Sequence, residues 1–393
     1  MRYLATLRAL AVLAAAAATP ASAGTYASLY AFRGGLDGSY PNAGLVRAGG
    51  ELYGVTSGSA GTFFSFDPKS GAEKPLYQFT DGQPGATLID VGGTLYGTIT
   101  EGGAYGWGAV FALNPKTGAE QTVYSFQDRA DGYFPETSLL NVGGILYGTT
   151  IGGGTYSQGT VFALNPSTGI KQIVYSFAGG NADGEDPQSE LINVNGTLYG
   201  TTRAGGPGFG TVYSIDPGTG TEKIVYFFGN GSDGGEPYAG LVNVSGILYG
   251  ATYRGGAGCD GGCGVIYALD PATGTETVMH TFAGGTDGAQ PRSTPLLAGH
   301  MLYGTTEAGG AACHANGGCG TLYSVDLSTG KEKTLYAFRG GKDGADPWDT
   351  PIMVGGTLFA TTYAGGGNAC AAVSPPGNPG ENPGCGTLFS YTP

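Results

Sequence analysis

One position of the sequence collects the side chains best suited to ligand chemistry, directly after the proline of a repeated Asp-Gly…Pro segment. The residue type changes in every copy, and the seven occupants are Asn42, Gly85, Glu136, Gln188, Tyr238, Arg292 and Trp348. Aromatic rings stack on the C–H-rich faces of sugars, and planar polar groups pair with hydroxyls. The mixture predicts sugar recognition, and drift at an unconstrained position is the alternative.

Longer loops of the repeat add aromatic and charged candidates. They are Trp107, Arg203, Tyr253, Arg254, Glu307 and Tyr363. Variable loops on a rigid scaffold are where binding usually takes place. From the position after the proline, the predicted ligand-binding set takes Asn42, Glu136, Gln188, Tyr238, Arg292 and Trp348. From the longer loops it takes Trp107 and Arg254.

Residues that could catalyse a reaction are few. His280, His300 and His314 fall in different parts of the repeat, so no Ser-His-Asp or Cys-His set is predicted. Two carboxylates could act as acid and base on a glycosidic bond; the candidates are Glu101, Glu136, Glu190, Glu236 and Glu307. We expect binding without catalysis and assign no catalytic residue. The alternatives are an extracellular carbohydrate-active enzyme and a purely structural surface protein.

An aspartate followed by glycine recurs in every copy, as Asp37, Asp81, Asp131, Asp183, Asp233, Asp287 and Asp343. Such an aspartate accepts hydrogen bonds from nearby backbone N–H groups and stabilises a turn, which explains the repetition without a ligand. Calcium is the alternative, because Asn181, Glu185 and Asp186 add oxygens beside Asp183. A calcium site needs about six to eight oxygens. We therefore expect no cofactor and assign no metal ligand, with calcium left open.

The six cysteines lie in the last third of the chain and form three close pairs, Cys259 with Cys263, Cys313 with Cys319, and Cys370 with Cys385. Each pair falls within one loop, so three local disulfides are predicted. A zinc site is disfavoured, because only His314 is nearby and export favours oxidation of cysteines.

The elements that carry these residues follow from an internal repeat. Leu-Tyr-Gly recurs with its tyrosine at Tyr53, Tyr96, Tyr147, Tyr199, Tyr249 and Tyr303, and Leu-Phe-Ala places Phe359 seventh. A second marker, aromatic-x-Phe, also occurs seven times. Each unit predicts four short strands joined by turns such as Asn-Pro-Ser-Thr-Gly. Four-stranded repeats of about 40–50 residues are typical of propeller blades.

The two ends of the repeat array distinguish a closed ring from an open solenoid. Residues 26–32 predict a lone strand, and the last unit lacks a fourth strand. Pairing the two would close the ring and remove free sheet edges. The sequence therefore predicts an all-β, seven-bladed propeller of four-stranded antiparallel blades. The predicted blades cover residues 43–79, 85–126, 137–177, 189–228, 239–282, 293–338, and 349–391 with 26–32.

These motifs carry a resemblance to a known family. The pattern LYGTT…GG…GTVFALNPSTG…VYSF…DG…P resembles the GloVer tandem repeat of exported bacterial proteins over nearly the whole chain. The four-strand plan is also similar to WD-repeat and quinoprotein-type blades. Both resemblances imply a propeller, and neither assigns a catalytic residue. The WD-like strand order implies that the Asp-Gly…Pro segments and the long loops share one face.

Composition and charge restrict the function further. Glycine supplies 78 of 393 residues, 40% are hydrophobic and 12% are charged, which excludes a helical protein and disfavours disorder. Residues 1–23 resemble a signal peptide cleaved after Ala23, so a secreted or periplasmic bacterial protein is expected. Without that segment the chain has 15 basic and 30 acidic residues. This negative charge disfavours nucleic acid as a partner. We expect a monomer without a membrane span that binds an extracellular glycan or protein.

Overall fold

Seven four-stranded antiparallel sheets, arranged as the blades of a ring, form the described part of the chain. The computed structural model describes residues 24–58, 61–310, 318–367, 370 and 384–393. The predicted signal peptide, Cys313 and His314 lie outside the described residues. Within those residues no helix has the length and apolar character needed to cross a membrane. The all-β, seven-bladed propeller predicted from the repeat is confirmed.

In blades 1 to 6 the four strands follow one another along the chain, outward from the ring axis. Blade 1 contains Val46–Ala48, Glu51–Thr56, Thr62–Asp67 and Ala72–Gln78. Blade 2 contains Ile89–Val91, Thr94–Ile99, Ala109–Leu113 and Glu120–Ser125. Blade 3 contains Leu140–Val142, Ile145–Thr150, Thr160–Asn165 and Ile170–Ser176. Blade 4 contains Ile192–Val194, Thr197–Thr202, Thr211–Asp216 and Thr221–Phe227.

The remaining blades repeat the same plan. Blade 5 contains Val242–Val244, Ile247–Thr252, Val265–Asp270 and Thr275–Thr281. Blade 6 contains Leu296–Ala298, Met301–Ala308, Thr321–Asp326 and Glu332–Ala337, with Ala289–Pro291 added beside its second strand. Blade 7 contains Ile352–Val354, Thr357–Thr362, Thr387–Thr392 and Thr25–Ala31. The described loops add the strand pair Gly184–Glu185 and Ala204–Gly205 and the 3-10 turns Gly35–Asp37, Gly285–Asp287 and Gly341–Asp343.

The N-terminal strand closes the ring as predicted. Thr25–Ala31 pairs antiparallel with Thr387–Thr392 and becomes the outer strand of blade 7. The ring of Tyr26 stacks on Tyr336 of blade 6 at a centroid distance of 3.8 Å, and its hydroxyl donates to the Asp343 carbonyl at 2.6 Å. One strand therefore completes a sheet and also holds the neighbouring blade.

The phenylalanine of the aromatic-x-Phe marker connects each blade to the next. It meets the aromatic ring in the third strand of the following blade edge to face, with centroids 5.0–5.3 Å apart. The pairs are Phe32–Phe64, Phe79–Phe111, Phe126–Phe162, Phe177–Tyr213, Phe228–Tyr267, Phe282–Tyr323 and Phe338–Phe389. Each such pair contributes about 0.5–1.5 kcal/mol beyond its buried area. The hydrophobic core is thus a closed series of interfaces between blades.

The glycine of Leu-Tyr-Gly makes room for the same third-strand ring. A Cβ atom on Gly148 would lie 2.6 Å from Phe162 Cζ, and one on Gly200 would lie 2.5 Å from the Tyr213 hydroxyl. Because protein interiors are close-packed, the ring can rest on bare backbone only where the side chain is absent. In the seventh copy Ala360 takes this place opposite Phe389.

The repeated loop aspartates accept backbone hydrogen bonds. In six of the described loops the carboxylate accepts the N–H of the residue that follows the marker phenylalanine, as Asp37 does from Arg33 at 2.7 Å. Asp81 lies only two positions after Phe79, so its loop is shorter. Its carboxylate lies beside Gly102 instead. The turn interpretation of these residues therefore explains their recurrence.

The predicted disulfides that fall on described residues are present. Cys259 is bonded to Cys263 and Cys370 to Cys385, with Cα atoms 5.4 and 5.3 Å apart. Cys319 is also disulfide-bonded, and its predicted partner lies outside the described residues. The sulfurs of the two described bridges pack against glycines of the next Asp-Gly…Pro loop, Gly284 and Gly34, so each bridge braces the entry to the following blade.

Candidate functional site

A cavity of about 690 Å³ lies on the ring axis, where the seven Asp-Gly…Pro segments enter the inner strands. All seven residues that follow the prolines line it: Asn42, Gly85, Glu136, Gln188, Tyr238, Arg292 and Trp348. One residue from each blade entry thus lines the same open cavity. The sequence position that varies most is the position that faces the cavity.

Backbone geometry fixes these entries. In six of the described segments the residue before the proline has a positive φ between 51° and 60°, and these residues are Tyr40, Phe134, Asp186, Glu236, Gln290 and Asp346. Positive φ is uncommon outside glycine and persists where the surrounding structure enforces it, frequently at functional sites. Hydrogen bonds enforce it here: the N–H of Glu236 donates to the Phe209 carbonyl at 2.8 Å, and its own carbonyl accepts from the N–H of Tyr253 at 3.1 Å. No motif in the sequence predicted this conformation.

One half of the cavity wall is a continuous stack of rings and a guanidinium. Tyr363 lies between Tyr40, at 5.1 Å, and Trp348, at 4.0 Å with an interplanar angle of 18°. The guanidinium of Arg292 lies 4.8 Å from the Trp348 ring centre and 5.1 Å from that of Tyr238. Because Tyr363 fills one face of Trp348, Arg292 takes the other. These groups stabilise one another through stacking and cation–π attraction.

This stack changes how the aromatic residues can meet a ligand. The residue types predict ring faces free for sugars, yet the Trp348 ring already contacts Tyr363 and the Arg292 guanidinium. The indole N–H of Trp348 is buried and has no hydrogen-bond partner among the described residues. An unsatisfied buried N–H costs free energy, so this donor is a local cost of the stacked arrangement.

The charge in the wall centres on Arg292. One guanidinium nitrogen lies 3.8 Å from Glu307 Oε2. Burial raises the pKa of Glu136, Glu307 and Asp349, and the positive charge of the guanidinium opposes that rise. Desolvation outweighs this attraction in all three, so their pKa values stay above the ordinary range. For Asp349, which is buried and accepts a hydrogen bond from Thr361, the pKa rises to about 7.

The carboxyls in the cavity lining are Glu101, Glu136, Asp349 and Glu190. Desolvation raises the pKa of Glu190, and a hydrogen bond from Thr294 opposes the rise. Thr294 Oγ1 also accepts from the N–H of Gly240 at 2.7 Å. The Glu190 carboxyl, at the start of blade 4, is thus held against a fixed hydroxyl at the start of blade 6.

The opposite half of the wall is small and polar. Asn42, Gln188 and Ser138 present amide and hydroxyl groups, and Gly85 contributes no side chain in front of Thr100. The carbonyl oxygen of the Asn42 side chain is buried without a hydrogen-bond partner among the described residues. The cavity is therefore asymmetric, with aromatic and cationic groups facing amides, hydroxyls and open space.

Two members of the predicted binding set lie outside this cavity lining. Arg254 forms an ion pair with Glu236, 3.2 Å between Nε and Oε1, and Trp107 packs beside Tyr133 at a centroid distance of 5.6 Å. The prediction that they share a site with the other six is not supported by their positions. Both side chains instead have partners within the loops.

Other loop residues support the wall from behind. Arg203 donates to Asp186 at 2.7 Å and to the hydroxyl of Tyr238 at 3.4 Å. Tyr253 packs edge to face on Tyr238 with centroids 5.1 Å apart. Arg203 and Tyr253 are candidates in the sequence as well. Their support of Tyr238 depends on contacts between loops, which no local motif predicts.

The oxygens proposed for calcium have protein partners. Asp183 accepts from the N–H groups of Ala178 and Gly184 and from the hydroxyl of Tyr175, and Asp186 pairs with Arg203. Calcium binding stays a prediction that these contacts do not favour.

Comparisons with known proteins agree with the repeat and the fold. The family model described as the Gloeobacter/Verrucomicrobia repeat matches residues 17–155 and 57–263. An oligogalacturonate lyase in complex with manganese is similar in structure, with 12% identity, a TM-score of 0.55, and coverage of 94% of this chain and 93% of its own. The extracellular domain of a one-component system from B. thetaiotaomicron shares 11% identity and a TM-score of 0.55, covering 91% of this chain and 39% of its own.

At these identities the structural likeness shows the fold alone. No curated protein matches the chain in sequence. The two family matches together span residues 17–263, which is more than half of the chain. With the seven-bladed ring and its recurring motifs, they establish that the chain belongs to the Gloeobacter/Verrucomicrobia repeat family.

Proposed function

We propose that the protein is an exported binding protein that holds a carbohydrate in its axial cavity. The observation that carries this proposal is that the most variable position of the repeat supplies one residue from each of its seven copies to a single cavity. Equivalent positions of a closed ring meet at its axis by symmetry, so the common wall follows from the fold. The seven different residues give that wall the mixed polar and aromatic chemistry of a ligand site.

The lining favours a polyhydroxylated ligand. Amides, hydroxyls, carboxyls and one guanidinium surround the space, which offers donors and acceptors in many directions. The volume of about 690 Å³ falls within the usual range of small-molecule sites, about 300–1,000 Å³. A short oligosaccharide or the end of a glycan chain fits this space. A folded protein partner would need a broad surface of about 800 Å² instead.

Recognition would use polar edges more than ring faces. Arg292 is held in place by Trp348 and Tyr238, so its N–H groups can bind sugar oxygens with little loss of side-chain freedom. The Gln188 amide and the Ser138 hydroxyl add donors and acceptors on the opposite part of the wall. These groups together would fix the orientation of a sugar ring.

Disulfides support an exported location. Bonded cysteines persist in oxidising compartments and are rare in the cytosol. Two bridged loops among the described residues, a third bonded cysteine at Cys319 and the predicted signal peptide fit a secreted or periplasmic protein.

The test is thermal melting of the protein against a panel of neutral, amino and acidic oligosaccharides. A ligand that binds only the folded state raises the melting temperature in a saturable manner. We expect one sugar class to do so, and we expect the effect to be lost in Arg292→Gln. The matched control is Arg254→Gln, which removes an arginine from a neighbouring loop outside the cavity. Melting temperatures that no saccharide changes would contradict the proposal.

A carbohydrate-active enzyme is the second candidate, because the cavity lining includes carboxyls with raised pKa values, among them Glu136, Glu190 and Asp349. A carboxyl that keeps its proton near neutral pH can act as a general acid. Chromatography of each saccharide after incubation separates the candidates. Shortened products would establish an enzyme, and intact ligand with a melting shift would establish a binding protein.

A further inference from the structure

A second set of contacts recurs between neighbouring blades, away from the axial cavity. The aromatic residue of each aromatic-x-Phe marker approaches a loop aspartate or a side chain from the outer strand of the following blade. The aromatic position holds Tyr30, Tyr77, Tyr124, Tyr175, Tyr226, His280 and Tyr336. The side chains from the following blade are Glu73, Glu120, Lys171, Glu222, Glu276, Glu332 and Tyr26.

The contact between blades 5 and 6 is the one of the seven with a histidine at the aromatic position. His280 replaces tyrosine, and its Nε2 lies 3.2 Å from Asp287 Oδ2. With Glu332, the imidazole nitrogen and the two carboxylate oxygens all lie within 4.8 Å of one another. Among the described residues this is the only group of histidine, cysteine, aspartate and glutamate ligands so close together.

We propose that His280, Asp287 and Glu332 bind one divalent transition metal of the Zn²⁺ type between blades 5 and 6. One imidazole nitrogen and two carboxylate oxygens form a three-ligand set that Zn²⁺ accepts, with water completing the coordination. Ligand atoms around tetrahedral Zn²⁺ with bonds of about 2.0–2.1 Å stand about 3.3 Å apart. The histidine and aspartate atoms are 3.2 Å apart, a hydrogen-bond distance that is also compatible with this spacing.

Supporting contacts hold the ligands in place. Asp287 accepts the N–H of Ala283 at 2.7 Å, and His280 packs edge to face on Phe282. Thr334 donates to the Thr286 carbonyl at 3.1 Å, which ties the strand of Glu332 to the loop of Asp287. Contacts of this kind orient metal ligands. The side chains of His280 and Asp287 are 20% and 24% exposed, so an ion can reach them from solvent.

The contact between blades 4 and 5 provides an internal control. Asp233 and Glu276 occupy the positions of Asp287 and Glu332, but the aromatic residue is Tyr226. Burial and Asp233 raise the pKa of this phenol, so it keeps its proton and donates to the aspartate at 3.2 Å. This contact has two carboxylates and no imidazole. Comparing it with the contact of His280 distinguishes metal binding that needs the histidine from attraction of a cation to acidic charge.

The experiment is calorimetric titration of the disulfide-bonded protein with ZnCl₂. We expect one saturable site in the wild type, loss of that site in His280→Tyr, which restores the residue of the other six contacts, and no change in His300→Asn. We further expect Tyr226→His to create a second site, because both carboxylates are already in place. Melting of each variant without metal shows that the fold is retained.

Two results would overturn the proposal. One is the absence of saturable Zn²⁺ binding in the wild type. The other is binding that His280→Tyr leaves unchanged, which would place the ion elsewhere. Neither result bears on the carbohydrate proposal, since the two sites share no residue.

Discussion

Some residues of the repeat pack well but leave a buried polar group without a hydrogen bond, which lowers the stability of the fold. Three third-strand rings are tyrosines, at Tyr213, Tyr267 and Tyr323, and their buried hydroxyls have no hydrogen-bond partner among the described residues. The equivalent residues of blades 2 and 3 are Phe111 and Phe162. The hydroxyl is therefore not required for packing at this position.

Replacing one of these tyrosines should stabilise the protein. We expect Tyr213→Phe to raise the free energy of unfolding by about 1 kcal/mol, because it removes an unsatisfied buried hydroxyl while keeping the ring. The matched control is Tyr175→Phe, which removes a hydroxyl that donates to Asp183 at 3.0 Å and should lower the free energy by about 1 kcal/mol. Urea denaturation measures both. A loss of stability in Tyr213→Phe would contradict the packing argument.

The repeat predicted part of the cavity wall, the residues after the prolines, but not how they contact each other. Position after a proline is a local property, so alignment of the copies selected Asn42, Gln188 and Arg292 correctly for the cavity wall. The stacking of Trp348 between Tyr363 and Arg292 joins segments more than fifty residues apart in one case. Such contacts depend on the angle between blades, which no single motif encodes.

At the scale of elements, the N-terminal strand has the most demanding role, because it completes blade 7 and contacts blade 6. We expect Tyr26→Ala to lower the free energy of unfolding by about 1–3 kcal/mol, less than for a fully buried aromatic because the ring is half-buried. Thr25→Ala, at an exposed position of the same strand, should change it by less than about 0.5 kcal/mol. Equal effects of the two substitutions in urea denaturation would show that the strand does not depend on this contact.

The contacts between blades also predict a dependence of stability on pH. Burial, followed by the charge of the neighbouring aspartate, raises the pKa of Glu73, Glu222, Glu276 and Glu332 to about 7. Between the ordinary glutamate pKa of about 4.3 and this value, the folded protein binds more protons than the unfolded chain. The free energy of unfolding should therefore fall as pH rises from 5 to 7.5.

Urea denaturation at several pH values checks this prediction. The double substitution Glu222→Gln with Glu276→Gln should flatten the decline, because an amide keeps the neutral form at every pH. Glu51→Gln, at an exposed strand end, should leave the slope as it is. A midpoint that rises between pH 5 and 7.5 would have the wrong sign for this account.

For the whole molecule, sevenfold repetition provides the scaffold and departures from it provide the chemistry. The number of blades, the strand plan and the closure of the ring followed from sequence, because each depends on patterns that repeat. The asymmetry of the cavity depends on seven different residues meeting at one axis, and only the structure brings Glu190, Asp349 and Arg292 to the same space. The same contrast distinguishes His280 from its six tyrosine counterparts.

The central claim is that one ligand occupies the axial cavity, and filling the cavity tests it most directly. Gln188→Trp places in blade 4 the residue that blade 7 carries at the equivalent position, without altering the stack at Trp348. In calorimetric titration with the saccharide identified by the melting panel, we predict one site per chain in the wild type and none in Gln188→Trp. Unchanged binding by the filled variant, or several sites per chain, would contradict the account.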